Sequence, residues 1–403
     1  MRLQYLSTLL FASSALAKSS ASKSSSSSKA ESTWSSEYSV LEFENFGFAG
    51  TYQVVSSMKD ATEDNYCACE VSDDRVSFSG TNAPLNEELS VHIRGPLSLH
   101  KFAYYVSENY ERSDSSSSKD WSRLAYYDSS SQTAENVTFM GNVGTNKTCL
   151  GKALGYVDET GLTETSDSTI LEKDNMVYSD EEYAIFSNIS CEDSGLSNDC
   201  GVYRSGIPAF HGFYGTTKMF LFEFEAPDDT TTDENTTSYN MPAIWLLNAQ
   251  IPRTAQYPIN SSCSCWSSGC GEFDIFEVMN STESSRFYST IHDFQGIWDI
   301  GTGIPIQGYL ERTPGSKMSG GVVFGSDGAA TVFLSNSTSF NSSISVTDLD
   351  SWIKGTEKVD TLLTISAASS TTTTSSSSKG DSGHINPSWL STVIAGCFLM
   401  FGM

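Results

Sequence analysis

The sequence predicts an all-β protein, a β-sandwich or jelly roll. Short runs of alternating apolar and polar residues recur along the chain, separated by Gly, Asn, Asp and Ser. No stretch shows the sustained 3.6-residue period of a long amphipathic helix. The predicted strands lie around Val54 and at residues 76–78, 89–93, 102–106, 124–127, 218–224, 321–324 and 330–334.

The chain begins with the pattern of a secretory signal peptide, which we expect over residues 1–17. Arg2 supplies a positive start, residues 9–12 form an apolar centre, and residues 15–17 read small-x-small, as a cleavage site requires. A buried N-terminal helix is the alternative. Residues 18–39 are rich in Ser with little to bury, so we expect this segment to be disordered.

The C-terminal end has the order of a GPI-attachment signal. An apolar tail follows a polar spacer, carries no Lys or Arg after it, and is too short to cross a bilayer comfortably. We predict attachment at Gly380 and removal of residues 381–403, with Ser378, Ser382 or a short tail anchor as alternatives. Residues 362–380 are expected to be a Ser/Thr-rich stalk or a plain linker.

Glycosylation sequons and cysteines agree with a secreted route. Cys397 lies in the predicted propeptide, and the other eight cysteines are an even number, which favours up to four disulfides. Their connectivity does not follow from the sequence, although proximity favours Cys191 with Cys200. Histidines do not cluster near the Cys-x-Cys pairs, so we predict no metal site. The eight Asn-x-Ser/Thr sequons begin at Asn136, Asn146, Asn188, Asn235, Asn260, Asn280, Asn336 and Asn341.

Charge and a polar break give two further expectations. The net charge of −26 argues against a nucleic-acid partner, because a phosphate backbone attracts basic proteins. The polar segment 113–119 divides the β pattern into an N-terminal β-rich module, residues 40–110, and a catalytic jelly roll, residues 121–355. The first range is either a carbohydrate-binding unit or a part of the same sandwich.

Three acids stand in one apolar, β-prone run, which reads EFDIFE from Glu272 to Glu277. In a strand, Glu272 and Asp274 point to the same face. Strict alternation puts Glu277 on the other face, but one β-bulge at residues 275–276 would return it to theirs. A solvent-facing acidic strand is the alternative to a functional row of carboxylates.

Such a row suits a retaining glycosidase, which uses a nucleophile and a general acid about 5–5.5 Å apart. We assign Glu272 as the nucleophile, Glu277 as the acid/base and Asp274 as the group that tunes them. Carboxylates this close do not ionise independently, so one pKa should rise and leave a proton for the leaving oxygen.

The same run resembles the catalytic signature of glycoside hydrolase family 16, the retaining β-glucanase jelly rolls. Segments 222–225, 241–247 and 289–292 resemble neighbouring strands of that family in the right order. That resemblance implies a cleft lined by His292. The Cys-rich loop 263–270 departs from the general family pattern.

A closer resemblance spans about residues 40–355. Segments 78–85, 89–96 and 263–272 resemble a fungal group of GPI-anchored or wall-bound glycosyl hydrolases. This implies endo-1,3-β-glucanase activity in the cell wall, with wall β-1,3-glucan and, through a GPI lipid, the plasma membrane as partners. Two alternatives remain open, a glucan or chitin–glucan transglycosylase and a non-catalytic glucan-binding wall protein.

Aromatic side chains are expected to bind sugar, because the face of a pyranose is apolar and stacks on rings. Trp245, Trp266 and Trp298 lie near the acids in sequence, and His292 is a candidate to bind substrate or nucleophile. A core position is the alternative for each Trp, and a structural role for the His. The sequence has no phosphate-binding loop, nucleophile elbow or dinucleotide fingerprint, and we predict no cofactor.

Overall fold

The computed structural model describes residues 36–59 and 68–365. The predicted signal peptide, Gly380, the propeptide, Cys67, Cys397 and nearly all of the stalk lie outside these residues. The described strands are β1 (Glu37–Tyr38), β2 (Val40–Glu44), β3 (Gly50–Lys59), β4 (Ala68–Phe78), β5 (Leu89–Arg94), β6 (Ser98–Val106), β7 (Trp121–Asp128), β8 (Thr133–Glu135), β9 (Thr138–Gly141), β10 (Asn146–Lys147), β11 (Gly151–Lys152), β12 (Gly155–Val157), β13 (Glu164–Thr165), β14 (Glu182–Phe186), β15 (Lys218–Glu225), β16 (Ala243–Asn248), β17 (Glu272–Glu277), β18 (Arg286–His292), β19 (Ile304–Pro305), β20 (Tyr309–Glu311), β21 (Lys317–Phe324), β22 (Ala330–Leu334), β23 (Ser343–Ile344) and β24 (Glu357–Thr361).

Two large sheets confirm the predicted all-β sandwich, and each predicted run is a strand or part of one. The 11-stranded sheet has the order β1-β20-β18-β17-β16-β5-β14-β9-β12-β13, with β19 beside β18. The 9-stranded sheet has the order β23-β7-β6-β15-β21-β22-β2-β24, with β8 beside β7. Separate two-stranded pairs are β3 with β4 and β10 with β11.

The core lies between the two sheets and follows from strand alternation. In β15, Phe220 and Phe222 face this core, while Met219 and Leu221 face the other side of their sheet. A helix, α2 (Val346–Trp352), packs on that other side. Ser345 caps it by accepting a hydrogen bond from the Asp348 backbone N–H. At β15, the chain itself therefore buries both faces of this sheet.

Strands from residues 40–110 and from residues 121–355 share both sheets. β5 lies between β14 and β16 in one sheet, and β6 lies between β7 and β15 in the other. Phe43 of β2 packs edge-on against Phe273 of β17 at 5.5 Å between ring centroids. The two ranges thus build their hydrophobic core together.

The remaining helices are short: α1 (Gln250–Thr254) and the 3-10 turns Ser261–Cys263, Trp266–Ser268 and Ser281–Glu283. Among the described residues, no helix has the length and apolar character needed to span a membrane. Disulfides join Cys191 to Cys200, as proximity predicted, and also Cys69 to Cys263 and Cys265 to Cys270. Cys149 is disulfide-bonded as well.

Candidate active site

The three acids of β17 line one cavity on the outer face of the 11-stranded sheet. Its volume is about 490 Å³. Asp274 is buried, and Glu272 and Glu277 are half-buried. The inner face of the same strand buries Phe273, Ile275 and Phe276 in the core, so the strand presents its carboxylates on one side only. The cavity wall also includes Arg94, Trp245, Trp266, Thr290 and His292.

A β-bulge in β17 is what brings Glu277 onto this face, as the residue count predicted. Asp274 pairs with Trp245 of β16, whereas Phe276 pairs with Ile244, the preceding residue of that strand. Ile275 is therefore the extra residue, and its carbonyl accepts a hydrogen bond from Ser289 Oγ at 2.7 Å. With the shift, Glu272, Asp274 and Glu277 all border the cavity.

A hydrogen bond joins Asp274 to His292. His292 Nδ1 lies 2.6 Å from the Ile300 carbonyl oxygen, which only accepts, so Nδ1 carries a hydrogen. His292 Nε2 lies 2.9 Å from Asp274 Oδ2, and one proton must occupy that contact. Despite burial of the ring, the hydrogen bond and charge of Asp274 raise the pKa of His292 to about 10. His292 is therefore an imidazolium at neutral pH, hydrogen-bonded to Asp274.

Glu272 has an aromatic donor. The Trp266 indole N–H donates a hydrogen bond to Glu272 Oε2, and an indole N–H cannot accept. This oxygen is therefore the acceptor, which favours the ionised carboxylate. Burial and the nearby charge of Asp274 act in the opposite direction and raise the pKa of Glu272, while His292 and Trp266 lower it.

Glu277 has a cationic partner. Arg94 Nη2 lies 3.3 Å from Glu277 Oε1, while Arg94 Nε donates to the Met241 carbonyl at 2.9 Å. The guanidinium lies 6.0 Å from the centroid of the Trp245 ring. Burial and Asp274 raise the pKa of Glu277, and Arg94 only partly offsets them.

The charges of the cavity balance if one carboxyl group keeps its proton. Two cations, Arg94 and the protonated His292, face three acids. Burial and the charge of Asp274 raise the pKa of both Glu272 and Glu277. Because the two acids are coupled, one loses its proton before the other, and the pair passes through a state that holds one proton. Acid/base catalysis needs this combination.

The Cys-rich loop before β17 forms the wall that carries Trp266. The Cys265–Cys270 disulfide closes the turn, and Cys69–Cys263 ties the loop to β4. Ser268 Oγ accepts from the Gln53 backbone N–H at 3.0 Å, a second link to the β3–β4 hairpin. The Cys-rich loop, which departs from the general family 16 pattern, thus holds the Trp266 N–H donor against Glu272.

The structure brings together most, but not all, of the sequence-predicted site residues. Trp245 is 5% exposed and lines the cavity beside Trp266 and His292. Trp298 is 99% exposed and is not part of the cavity wall, although Gly301 and Thr302 of the same loop are. Trp298 therefore lies outside the central cavity.

The cavity wall also contains residues that the sequence did not single out as site residues, among them Arg94, Tyr257 and Thr290. Arg94 is the last residue of the apolar strand β5. The sequence shows this position, but it does not show that Glu277 is the partner of Arg94. Thr290 pairs with Asp274 across β17 and β18. Its buried hydroxyl has no hydrogen-bond partner among the described residues.

Clusters of metal-ligating side chains among the described residues do not form a metal site. One contains Cys69, Cys149 and Cys263, and the other contains Cys191, Cys200 and His211. All of these sulfurs are in disulfides, so none is available as a thiolate ligand.

The sequon asparagines are on the surface, with one exception. Seven are exposed, and Asn136 is half-buried with its side-chain nitrogen donating to the Leu124 carbonyl at 3.0 Å. A glycan on Asn136 would change this hydrogen bond.

Comparison with known proteins gives the same family for most of the described range. Residues 119–352 match the family model described as cell wall protein YJL171C/Tos1, C-terminal. Residues 39–107 match the corresponding N-terminal model. No solved structure matches the chain.

Several curated yeast proteins are similar to this chain. A Candida albicans protein named probable circularly permuted 1,3-beta-glucanase PGA52 is 56% identical over 334 residues, which cover 82% of this chain and 86% of the relative. The Saccharomyces cerevisiae protein of that description named YJL171C is 53% identical over 337 residues, covering 82% and 84%. The one named TOS1, from the same yeast, is 30% identical over 428 residues, covering 77% and 89%.

Proposed function

The chain belongs to the YJL171C/Tos1 family of cell wall proteins, and on that premise we propose that it is a retaining endo-1,3-β-glucanase of the fungal cell wall. The observation that carries this proposal is the bulged strand β17, which points Glu272, Asp274 and Glu277 into one cavity. The names of the relatives, probable 1,3-β-glucanases, supply the substrate class.

The proposed reaction has two steps. Glu272 attacks the anomeric carbon while the protonated Glu277 gives its proton to the glycosidic oxygen, which leaves with the bond's electron pair. Glu277, now a carboxylate, then takes a proton from water, and the resulting hydroxide displaces Glu272 from the covalent glycosyl-enzyme. Two inversions at the same carbon give net retention.

Asp274 lies between the two glutamates along the strand and tunes both. Together with burial, its charge raises the pKa of both glutamates, and the raised pKa of Glu277 helps to keep the acid protonated before attack. His292 holds Asp274 in place and supplies a positive charge that favours ionised Glu272. Trp245 and Trp266 offer ring surface for a pyranose, and exposed Trp298 would contact a longer chain.

Cell-wall placement completes the proposal. A signal peptide, a GPI lipid on Gly380 and a stalk would hold the folded part at the outer face of the plasma membrane or in the wall. To test the anchor, intact cells are treated with a phospholipase that cleaves GPI lipids, and release of the protein is measured. Wild type should be released, whereas a variant that combines Gly380→Leu, Ser378→Leu and Ser382→Leu should not carry the anchor. To test the sequons, the secreted protein is treated with an enzyme that removes N-linked glycans, and a loss of mass shows that glycans were attached.

The central test uses the full chain, produced through a yeast secretory route, with linear 1,3-β-glucan oligosaccharides. We expect shorter products whose first anomer is β by proton NMR, and loss of activity to background in Glu272→Gln. With azide, Glu277→Ala should form a β-glycosyl azide and Glu272→Ala an α-glycosyl azide, because azide then replaces water or the nucleophile respectively.

Other outcomes favour the alternatives. Longer or hybrid chains that disappear in Glu272→Gln establish a transglycosylase. Binding of glucan without any product, unchanged in Glu272→Gln, establishes a non-catalytic wall protein and overturns the proposal. An α product from wild type overturns retention while leaving hydrolysis in place.

A further inference from the structure

A second cavity of about 210 Å³ adjoins the catalytic one. It is lined by Asn142, Lys152 and Tyr257. Tyr257 lines the catalytic cavity as well, so the two cavities share this residue. Asn142 and Lys152 carry an amide and an ammonium group, whose N–H groups can donate to sugar hydroxyls.

The Tyr257 ring is 57% exposed, yet it is held in place. Its hydroxyl donates to Glu182 Oε2 at 2.7 Å and accepts from Gln256 Nε2 at 3.1 Å. Gln256 Oε1 in turn accepts from Asn142 Nδ2 at 3.1 Å. An exposed aromatic ring whose polar end is fixed offers apolar surface at little entropic cost to a ligand.

The backbone below the ring is equally constrained. The amides of Ile259 and Asn260 both donate to the Cys149 carbonyl. A Cβ on Gly151, whose φ is +71°, would lie 2.8 Å from the Tyr257 carbonyl oxygen, so the two segments pack in close contact. The loop that carries Tyr257 is thus fastened to the segment that carries Lys152.

Strand order places the second cavity along the line of the cleft. From β17 the sheet continues through β16, β5 and β14 to β9, and Asn142 directly follows β9. Strands are about 4.8 Å apart, so β9 lies roughly 19 Å from β17. This distance exceeds one pyranose ring but is within reach of an oligosaccharide that crosses the strands.

We propose that the second cavity is a distal subsite that binds a glucosyl unit of the same β-glucan chain whose bond is cleaved at Glu272. Tyr257 is the stacking platform, and Asn142 and Lys152 bind the hydroxyls of that unit. The inference rests on the proposed function and specifies it. The enzyme should prefer chains long enough to reach both cavities over chains that fill only the first.

The test compares Tyr257→Ala, Tyr257→Phe and a matched control, Tyr214→Ala, in the full chain. Tyr214 is also exposed, at 37%, and is not part of the catalytic cavity wall. Cleavage rates are measured for 1,3-β-glucan oligosaccharides from trisaccharide to octasaccharide. Binding of the same series to Glu272→Gln, with and without each tyrosine change, is measured by calorimetry.

Loss of the ring should lower kcat/KM and affinity for the longest chains about tenfold and leave the shortest chains unchanged. Tyr257→Phe should keep most of the preference, and Tyr214→Ala all of it. Equal losses at every chain length, or no loss, overturn the subsite. If wild type cleaves no glucan and Glu272→Gln binds none, the proposed function itself fails, a result distinct from either of these.

Discussion

His292 Nε2 lies 2.9 Å from Asp274 Oδ2 and joins the middle acid of β17 to β18, the next strand of the sheet. The ring is fixed from its other side by the Ile300 carbonyl. A Cβ on Gly303 would lie 2.8 Å from this ring, so the loop packs directly on it. The imidazolium ring of His292 is therefore held in a fixed position in the cavity wall.

Replacing His292 by Gln should move the pH profile of kcat/KM to higher pH by about one unit or more. The imidazolium lowers the pKa of both Glu272 and Glu277, so its loss raises both. The acidic limb, where Glu272 ionises, and the basic limb, where Glu277 loses its proton, then shift upward together. His100→Gln, on a strand of the other sheet, should leave the profile unchanged, and an unshifted His292→Gln profile contradicts the charge assignment.

Replacing Arg94 by Met should move mainly the basic limb to higher pH, because Arg94 is the cation next to Glu277. Asp274→Asn should move it in the opposite direction, since the Asp274 charge raises the pKa of Glu277. The Arg94 change also leaves a partly buried carboxylate unpaired and should cost about 1–3 kcal/mol of unfolding free energy. Arg94→Lys keeps the charge and should shift the limb less; shifts of the same sign in Arg94→Met and Asp274→Asn would be inconsistent with this geometry.

Replacing Gly271 by Ala should reduce both stability and kcat. Gly271 has φ +107° directly before Glu272, and a Cβ there would lie 2.6 Å from Leu85 Cδ2. We expect a loss of about 2–4 kcal/mol from backbone strain and overpacking. Gly315→Ala is the control, because its φ is +69° but the space around it is open. It should cost about 1 kcal/mol and leave kcat unchanged; equal effects of the two changes on kcat would count against a positioning role.

Replacing Lys218 by Met should stabilise the protein at neutral pH. Lys218 is fully buried, and its Nζ donates to the Glu87 backbone carbonyl at 2.7 Å. Burial lowers the pKa of Lys218 well below 10.5, although the charges of Glu87 and Glu88 oppose this. Between the lowered pKa of the folded state and 10.5, the unfolded chain binds a proton that the folded chain does not. In this pH range, the contribution of Lys218 to the free energy of unfolding therefore rises with pH, by up to about 1.4 kcal/mol per pH unit.

Urea unfolding of Lys218→Met over neutral to alkaline pH measures this effect. The variant should have a flatter dependence of unfolding free energy on pH than wild type. Lys317→Met changes a half-exposed lysine of the neighbouring strand β21 and should keep the wild-type slope. Identical slopes in all three proteins would show that Lys218 does not titrate differently in the folded and unfolded states.

Local pattern was enough to predict several of the longer strands and the arrangement of the three acids. A strand alternates its side chains with a period of two, so EFDIFE required one extra residue to place Glu277 with Glu272, and Ile275 is that residue. The family resemblance likewise rests on short segments that can be read one at a time. Residues close in sequence constrain one another directly through backbone geometry.

Only the tertiary structure decided which distant residues complete the site. Arg94 contacts Glu277 across a sequence separation of 183 residues, and Tyr257 reaches Glu182 across 75. Residues 40–110 place β5 and β6 inside both sheets, a pairing that no local pattern specifies. Strand neighbours depend on which apolar faces bury together over the whole chain, so the charge beside each carboxylate of β17 follows from packing rather than from the motif.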